Sequence, residues 1–272
     1  MTGSVTAPPP YAHIVVATDG SALSGTALLG GSMLAARTSA ELHVFHASTG
    51  PSTEEAVVAQ AAQLLQRQPY KLEIRDLSAS PSTMIADYAT QLGGESVVSV
   101  GTHGRGAVGV SVLGSTAVDL LARTNQATLA YGPGAGHPLE IQRVVVCVDG
   151  SQFSEASVPE GARWAAALDV PTWVIQVVPA YLSSYVRTFE STYVRNVAKD
   201  LEGGVHTSVQ WDVLHSTSPA RSILDLYGND AATMLIMATH GLVGLRRVLV
   251  GSISSEVVKE AWGPVVMVRP PD

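Results

Sequence analysis

The chain of 272 residues is short of cysteine, of aromatic side chains and of charge, and each shortage excludes a class of protein. A single cysteine, Cys147, excludes an internal disulfide framework and fits a reducing cytoplasm. Charged residues make up only 14%, yet no apolar run approaches the ~18 residues a membrane-spanning helix needs. The opening MTGSVTAPPP has neither the basic nor the apolar region of a secretory signal. Residues 1–10 are therefore expected to be a disordered tail, and the protein cytoplasmic, with no membrane partner. The sixteen basic residues are scattered, only Arg246 and Arg247 being adjacent, and the net charge is −7. Counterion release needs a basic stripe, so nucleic acid is not an expected partner either.

What is present is a repeat. IVVATDGSALS (14–24) returns as VVVCVDGSQFS (144–154), and SPSTMIADY (80–88) as SPARSILDL (218–226). GTHGRGAVGVSVLGS (101–115) returns as ATHGLVGLRRVLVGS (238–252) in the same order. Two copies of one domain are expected, at 11–134 and 140–272, joined by the Gly/Pro-rich GPGAGHPLE. Each copy alternates short apolar strands with helical patterns. In the first, Ile14–Thr18 reads as a buried strand and Ser21 as a helix N-cap. Pro81 suits the first turn of a helix running to Leu92. The pattern predicts an α/β fold with a parallel sheet covered on both faces.

In such sheets ligands sit beyond the carboxyl ends of strands, where the strand order reverses. Two features fall there. Strand one ends in Thr18 and Asp19, repeated as Val148 and Asp149, and strand four runs into the glycine-rich loop. The loop contains no lysine: Lys71, Lys199 and Lys259 all lie elsewhere, and GxxxxGK[ST] is absent. A helix N-terminus after Gly114 or Gly251 would hold an anion by its backbone N–H groups and dipole instead. Ser115, Thr116, Ser252 and Ser254 add hydroxyls, and Arg105, Arg246 and Arg247 add charge. The bland readings are a tight glycine turn, an Asx turn or cap at the aspartates, and loop-filling roles for His103 and His240. Cys147 reads as a buried small hydrophobe. His43 and His46 lie three apart on a strand and face opposite ways, so no metal site is expected. No nucleophile–base or carboxylate pair stands at catalytic spacing.

Each half resembles a universal stress protein domain, over Tyr11 to Pro270. Gly101, Gly104, Gly114 and Ser115 match the nucleotide-binding branch's G-x2-G-x9-G-[ST] signature. The resemblance implies two tandem Rossmann-like domains (adenine nucleotide alpha hydrolase-like), each a five-stranded parallel sheet in the order 3-2-1-4-5. It also implies ATP, with Mg2+ as its companion ion, in each crevice. The aspartates Asp19 and Asp149 would lie near ribose and adenine, and the strand-two valines Val44 and Val177 against adenine. The remaining candidate contacts are Ala17, Thr18, His103, Gly104, Arg105 and Thr116 in copy one. In copy two they are Cys147, Val148, Ala238, His240, Gly241, Gly251, Ser252, Ile253 and Ser254. Ala238 replaces the first signature glycine, which makes copy two the expected weaker site. The fifth strand of copy one, QATLAYGPG, lacks the Pro-Val-Val of copy two, which points to a weakened edge. The implied role is a nucleotide-dependent stress-response regulator, a covalent pseudo-dimer that dimerises again and acts on a protein partner, and not an enzyme. The alternatives are a protein-interaction module with empty crevices, a cyclic AMP binder, and a slow nucleotide hydrolase.

Overall fold

Both halves turn their apolar runs into central strands and their amphipathic segments into covering helices. The computed structural model describes residues 7–93, 95–102, 114–124, 126–178, 180, 183–239 and 251–270. Copy one contains strands β1 (His13–Ala17), β2 (Glu41–Ser48), β3 (Lys71–Asp76), β4 (Ser96–Gly101) and β5 (Thr128–Tyr131). Its helices are α1 (Ala22–Thr38), α2 (Pro51–Leu65), α3 (Pro81–Leu92) and α4 (Ser115–Arg123). Copy two has β6 (Arg143–Val148), β7 (Thr172–Val178), β8 (Val209–His215), β9 (Thr233–Ala238) and β10 (Val265–Val268). Its helices are α5 (Ser157–Leu168), α6 (Ser183–Glu202), α7 (Pro219–Ile223) and α8 (Ser252–Glu260). Among the described residues, no helix is long and apolar enough to cross a membrane.

The strands form one ten-stranded sheet, β3-β2-β1-β4-β5-β10-β9-β6-β7-β8. Each half has the order 3-2-1-4-5, and all pairings within a half are parallel. The halves join through an antiparallel pair, with Ala130 opposite Val265, Leu129 opposite Val266 and Thr128 opposite Met267. Copy one's fifth strand therefore pairs across the junction without a Pro-Val-Val motif. Its four residues are all buried, and Tyr131 packs its hydroxyl against α1 at Gly30. Just beyond it, Gly132 passes so near α8 that a methyl group there would meet the Val258 carbonyl.

Helices α1, α2, α5 and α6 cover one face, where a single apolar cluster runs through both copies, from Leu28 and Val57 to Trp164 and Leu201. The opposite face carries two clusters, under α3 and α4 and under α7 and α8. The polypeptide ahead of β1 crosses to the second copy. Ala7 packs against the shared cluster, and Arg163 donates to the Pro9 carbonyl at 2.7 Å while lying 4.3 Å over the Tyr11 ring. Tyr11 in turn donates to buried Glu160 at 2.8 Å. The end of the segment expected to be a frayed tail is thus held on α5.

The copies differ in how the first helix begins. In copy one, α1 starts directly after Ser21, whose hydroxyl accepts from Ser24 N. In copy two a 3-10 turn at Ser154–Ala156 precedes α5. This difference accounts for the glycine–alanine exchange at the end of strand four. Gly101 has no positive φ, but a Cβ there would stand 2.9 Å from the α1 backbone at Leu23 and Ser24. Its equivalent, Ala238, is accommodated and buried beside the altered helix start. The glycine serves helix–strand packing. Gly101→Ala should then destabilise the fold by ~1–3 kcal/mol, an overpacking cost. Ala238→Gly should change stability by ~1 kcal/mol or less. Thermal melts of the two variants check this, and equal melting temperatures would contradict it.

Candidate functional site

Strand order reverses between β1 and β4 in copy one and between β6 and β9 in copy two. Ala17 is level with Val100, and Cys147 with Met237. The turn after strand one and the helix after strand four therefore emerge side by side, which is where an open α/β sheet takes its ligand. Because the copies pair antiparallel, their two crevices open at opposite edges of the sheet.

The turn after β1 is closely bonded. Asp19 Oδ1 accepts from Ser21 N at 3.0 Å, and Gly20 takes a φ of 77°. Asp149 repeats this, accepting from Ser151 N at 2.9 Å and from Ser151 Oγ at 2.6 Å, with Gly150 at φ 86°. Both aspartates thus make the Asx turn of the bland reading, through one oxygen each. Thr18 donates to Gln60 Oε1 at 2.9 Å and accepts from Gly20 N at 3.0 Å. Its backbone N–H goes to Phe45 O, and its carbonyl accepts from His46 Nδ1 at 2.8 Å. That buried residue holds the turn together, where a ligand contact was expected. In copy two Val148 stands there, buried in the core, and Gln176 replaces His46 in the β6–β7 register. The Gln176 amide lies against Gly150, and its Oε1 is buried with no protein partner among the described residues.

The second part of the site is the helix start. Gly114 N donates to Thr102 O at 2.6 Å, and Gly251 N to Thr239 O at 2.7 Å, fixing α4 and α8 to the ends of their strands. Among the described residues neither helix has a side-chain cap, and neither has an acidic residue in its first turn. Ser115 and Thr116, and Ser252 and Ile253, are exposed. Ser254 is not part of that open surface: it is buried, and its hydroxyl donates to Ala238 O at 3.0 Å. His103, Gly104, Arg105, His240, Gly241, Arg246 and Arg247 lie outside the described residues.

Two expectations change with the strand register. Val16 pairs with Val44, and its repeat equivalent Val146 pairs with Val174. Val44 is therefore matched by Val174, both fully buried against the helices, and is a core residue without access to the crevice. The equivalent of Val177 is Ala47, three residues beyond Val44 and on the opposite face of β2. Ala47 and Val177 are partly buried, near the strand ends. The signal that finds Ala47 is the repeat itself, aligned through strand two. Cys147, equivalent to half-buried Ala17, is 8% exposed, and burial pushes its thiol up to about 12. It packs as an inert small side chain.

The universal stress protein family model matches this chain twice, at residues 10–131 and 140–269. A universal stress protein of Mycolicibacterium smegmatis is 29% identical over 144 residues, 47% of this chain and 48% of that protein. The match therefore spans about half the length of that curated relative. Another, from Methanocaldococcus jannaschii, is 27% identical over 146 residues, 48% of this chain and 83% of its own length. Among solved structures, a universal stress protein from Archaeoglobus fulgidus superposes with a TM-score of 0.68 at 18% identity, covering 95% of this chain and 98% of that one. A putative universal stress protein from Pseudomonas aeruginosa gives 0.67 at 17%, covering 96% and 94%. At those identities the likeness is one of fold. With the family model matched once by each copy of the repeat, the chain belongs to the universal stress protein family as a tandem, two-domain member.

Proposed function

We propose that both crevices bind an adenine nucleotide, ATP with its Mg2+, and that the protein is a nucleotide-dependent regulator of the stress response rather than a catalyst. The observation that carries this reading is the pair of helix starts, Gly114-Ser115 and Gly251-Ser252, that have no side-chain cap among the described residues, each beside an aspartate turn at a switch point. Exposed N–H groups and the helix dipole favour phosphate there without a lysine. Asp19 and Asp149 are suited to the ribose. A carboxylate accepts at up to about four sites, so the turn bond and a ribose hydroxyl are compatible. Ala47 and Val177 take the place against adenine that Val44 cannot. In copy two the buried Gln176 Oε1 offers an acceptor to the adenine amino group.

Native-state binding at about 100 times Kd should stabilise the protein by ~2.7 kcal/mol, a melting shift of a few degrees. Ser115→Asp and Ser252→Asp separate helix stability from ligand binding. A carboxylate in the first turn favours the helix dipole by ~0.3–1 kcal/mol but repels a triphosphate. The pair should keep or raise the ligand-free melting temperature and abolish the ATP-induced shift. A shift retained in the double variant would remove the phosphate from these helix ends.

Asp19→Asn keeps an acceptor for Ser21 N and removes the charge. Nucleotide affinity should fall about tenfold or more, as a charge-assisted bond worth ~1.5–3 kcal/mol is lost, with melting unchanged. Unchanged affinity would restrict Asp19 to its turn.

With no positioned base among the described residues, ATP turnover should stay below about one per minute, against a typical enzyme's ~10 per second. Purified protein turning over several times per second would make it an enzyme.

A further inference from the structure

The edge of the sheet opposite copy one's crevice gathers side chains that the nucleotide reading does not use. His13 opens β1, Glu41 opens β2, and His43 follows two residues later on the same strand. His13 Nδ1 lies 3.1 Å from His43 Nε2, His43 Nε2 lies 3.1 Å from Glu41 Oε2, and His13 Nδ1 lies 3.4 Å from Glu41 Oε2. Three potential donor atoms thus form a closed triangle with sides of 3.1–3.4 Å. Among the described residues, this is the one group of three metal-ligating side chains drawn so close together.

Hydrogen bonds can pair these atoms only by leaving like groups facing one another. If His43 Nε2 carries the proton and donates to Glu41, His13 Nδ1 faces either that N–H with a second N–H or the carboxylate with a lone pair. If His13 Nδ1 donates instead, bare His43 Nε2 faces the carboxylate oxygen at 3.1 Å. Every tautomer leaves one like-to-like contact. A cation at the centre removes all of them, since three lone pairs then converge on it. Tetrahedral zinc, with bonds of about 2.0–2.2 Å, sets its ligand atoms ~3.3–3.5 Å apart, within a few tenths of an ångström of this triangle.

The surroundings are those of a metal centre. Tyr88 Oη lies 2.8 Å from His43 Nδ1, the second ring nitrogen, placed to accept its proton and fix the tautomer. Lys71 at the start of β3 donates to Glu41 Oε1 at 2.8 Å and orients the carboxylate by the oxygen that faces away from the triangle. His43 is only 1% exposed, while His13 and Glu41 are 24% and 40% exposed, so a solvent path and an open coordination position remain. Copy two has none of this. The β6–β7 register places Arg143 at the equivalent of His13 and Trp173 at that of His43. There the guanidinium lies 5.9 Å from the Trp173 ring and binds Asp230 at 2.6 Å.

We propose that His13, Glu41 and His43 form a binding site for a divalent first-row transition metal ion, with zinc as the representative, present in copy one only. Two imidazoles and one carboxylate suit such an ion better than magnesium or calcium, which prefer oxygen. The site lies at the sheet edge away from copy one's crevice and does not depend on nucleotide binding there.

Calorimetric titration of the full, chelator-stripped chain with zinc chloride tests this, beside His13→Gln, Glu41→Gln and Tyr88→Phe. The wild type should take up one high-affinity zinc per chain. His13→Gln and Glu41→Gln, both at partly exposed positions, should weaken it at least tenfold while their metal-free melting temperatures stay near wild type. Tyr88→Phe, which touches no metal, should weaken it by about 10–100-fold through His43. No zinc uptake, or equal uptake by wild type and both ligand variants, would overturn the proposal. The second result would place the ion at other histidines.

Discussion

The antiparallel pairing of β5 with β10 is the contact on which the rest of the molecule depends. Three residue pairs convert two five-stranded sheets into one, and the strand direction reverses at that line. From it follow the continuous apolar cluster on one face, the opposite orientation of the two crevices, and the approach of Gly132 to the α8 backbone. The link is reinforced away from the sheet. Arg37 of α1 donates to the Leu168 carbonyl at the end of α5, at 2.9 Å, and the stretch before β1 packs on α5 through Tyr11, Glu160 and Arg163. The chain that leaves β5 is tied down as well: the Gly134 and Gly136 N–H groups donate to the carbonyls of Lys259 and Trp262, at the end of α8.

Within each copy, adjacency of the first and fourth strands converts separate sequence motifs into one site. The parts that carry the backbone geometry recur almost unchanged: the Asx turn, the glycine at positive φ after it, and the bond from the glycine N–H before the helix to the strand-end carbonyl. The parts that vary are side chains that brace the turn. Copy one uses Thr18, His46 and Gln60, whereas copy two has Val148 and Gln176 with a 3-10 turn ahead of its helix. The signature position Gly101 belongs to this second group, since the α1 backbone at Leu23 and Ser24 leaves no room for a side chain there.

The strand starts, at the end of each copy away from its own crevice, have diverged further. Copy one places two imidazoles and a carboxylate at the strand starts, and copy two an arginine over a tryptophan with an aspartate partner. Strand starts lie outside the crevice, so the backbone geometry shared by the two sites places no demand on them. They are free to take up different chemistry while the fold is retained.

The sequence alone determined the repeat, the alternation of strands and helices, the helix start at Ser21, and the glycine–serine helix starts, because these rest on local pattern and on comparison of one half with the other. It also determined the absence of a lysine in the loops. Only the tertiary structure decided which side chains meet. Val44 looked like a crevice residue until the β1–β2 register put it in the core and Ala47 in its place, since a shift of three along a strand reverses the face. Ser254 and Thr18 stand among the candidate ligand contacts, but their hydroxyls bond to the Ala238 carbonyl at the end of β9 and to Gln60 on α2. His43 shares its own strand with His46, whereas its partner His13 stands thirty residues away on the neighbouring strand. Contacts across a parallel sheet are set by register over long sequence separations, and no local spacing encodes them.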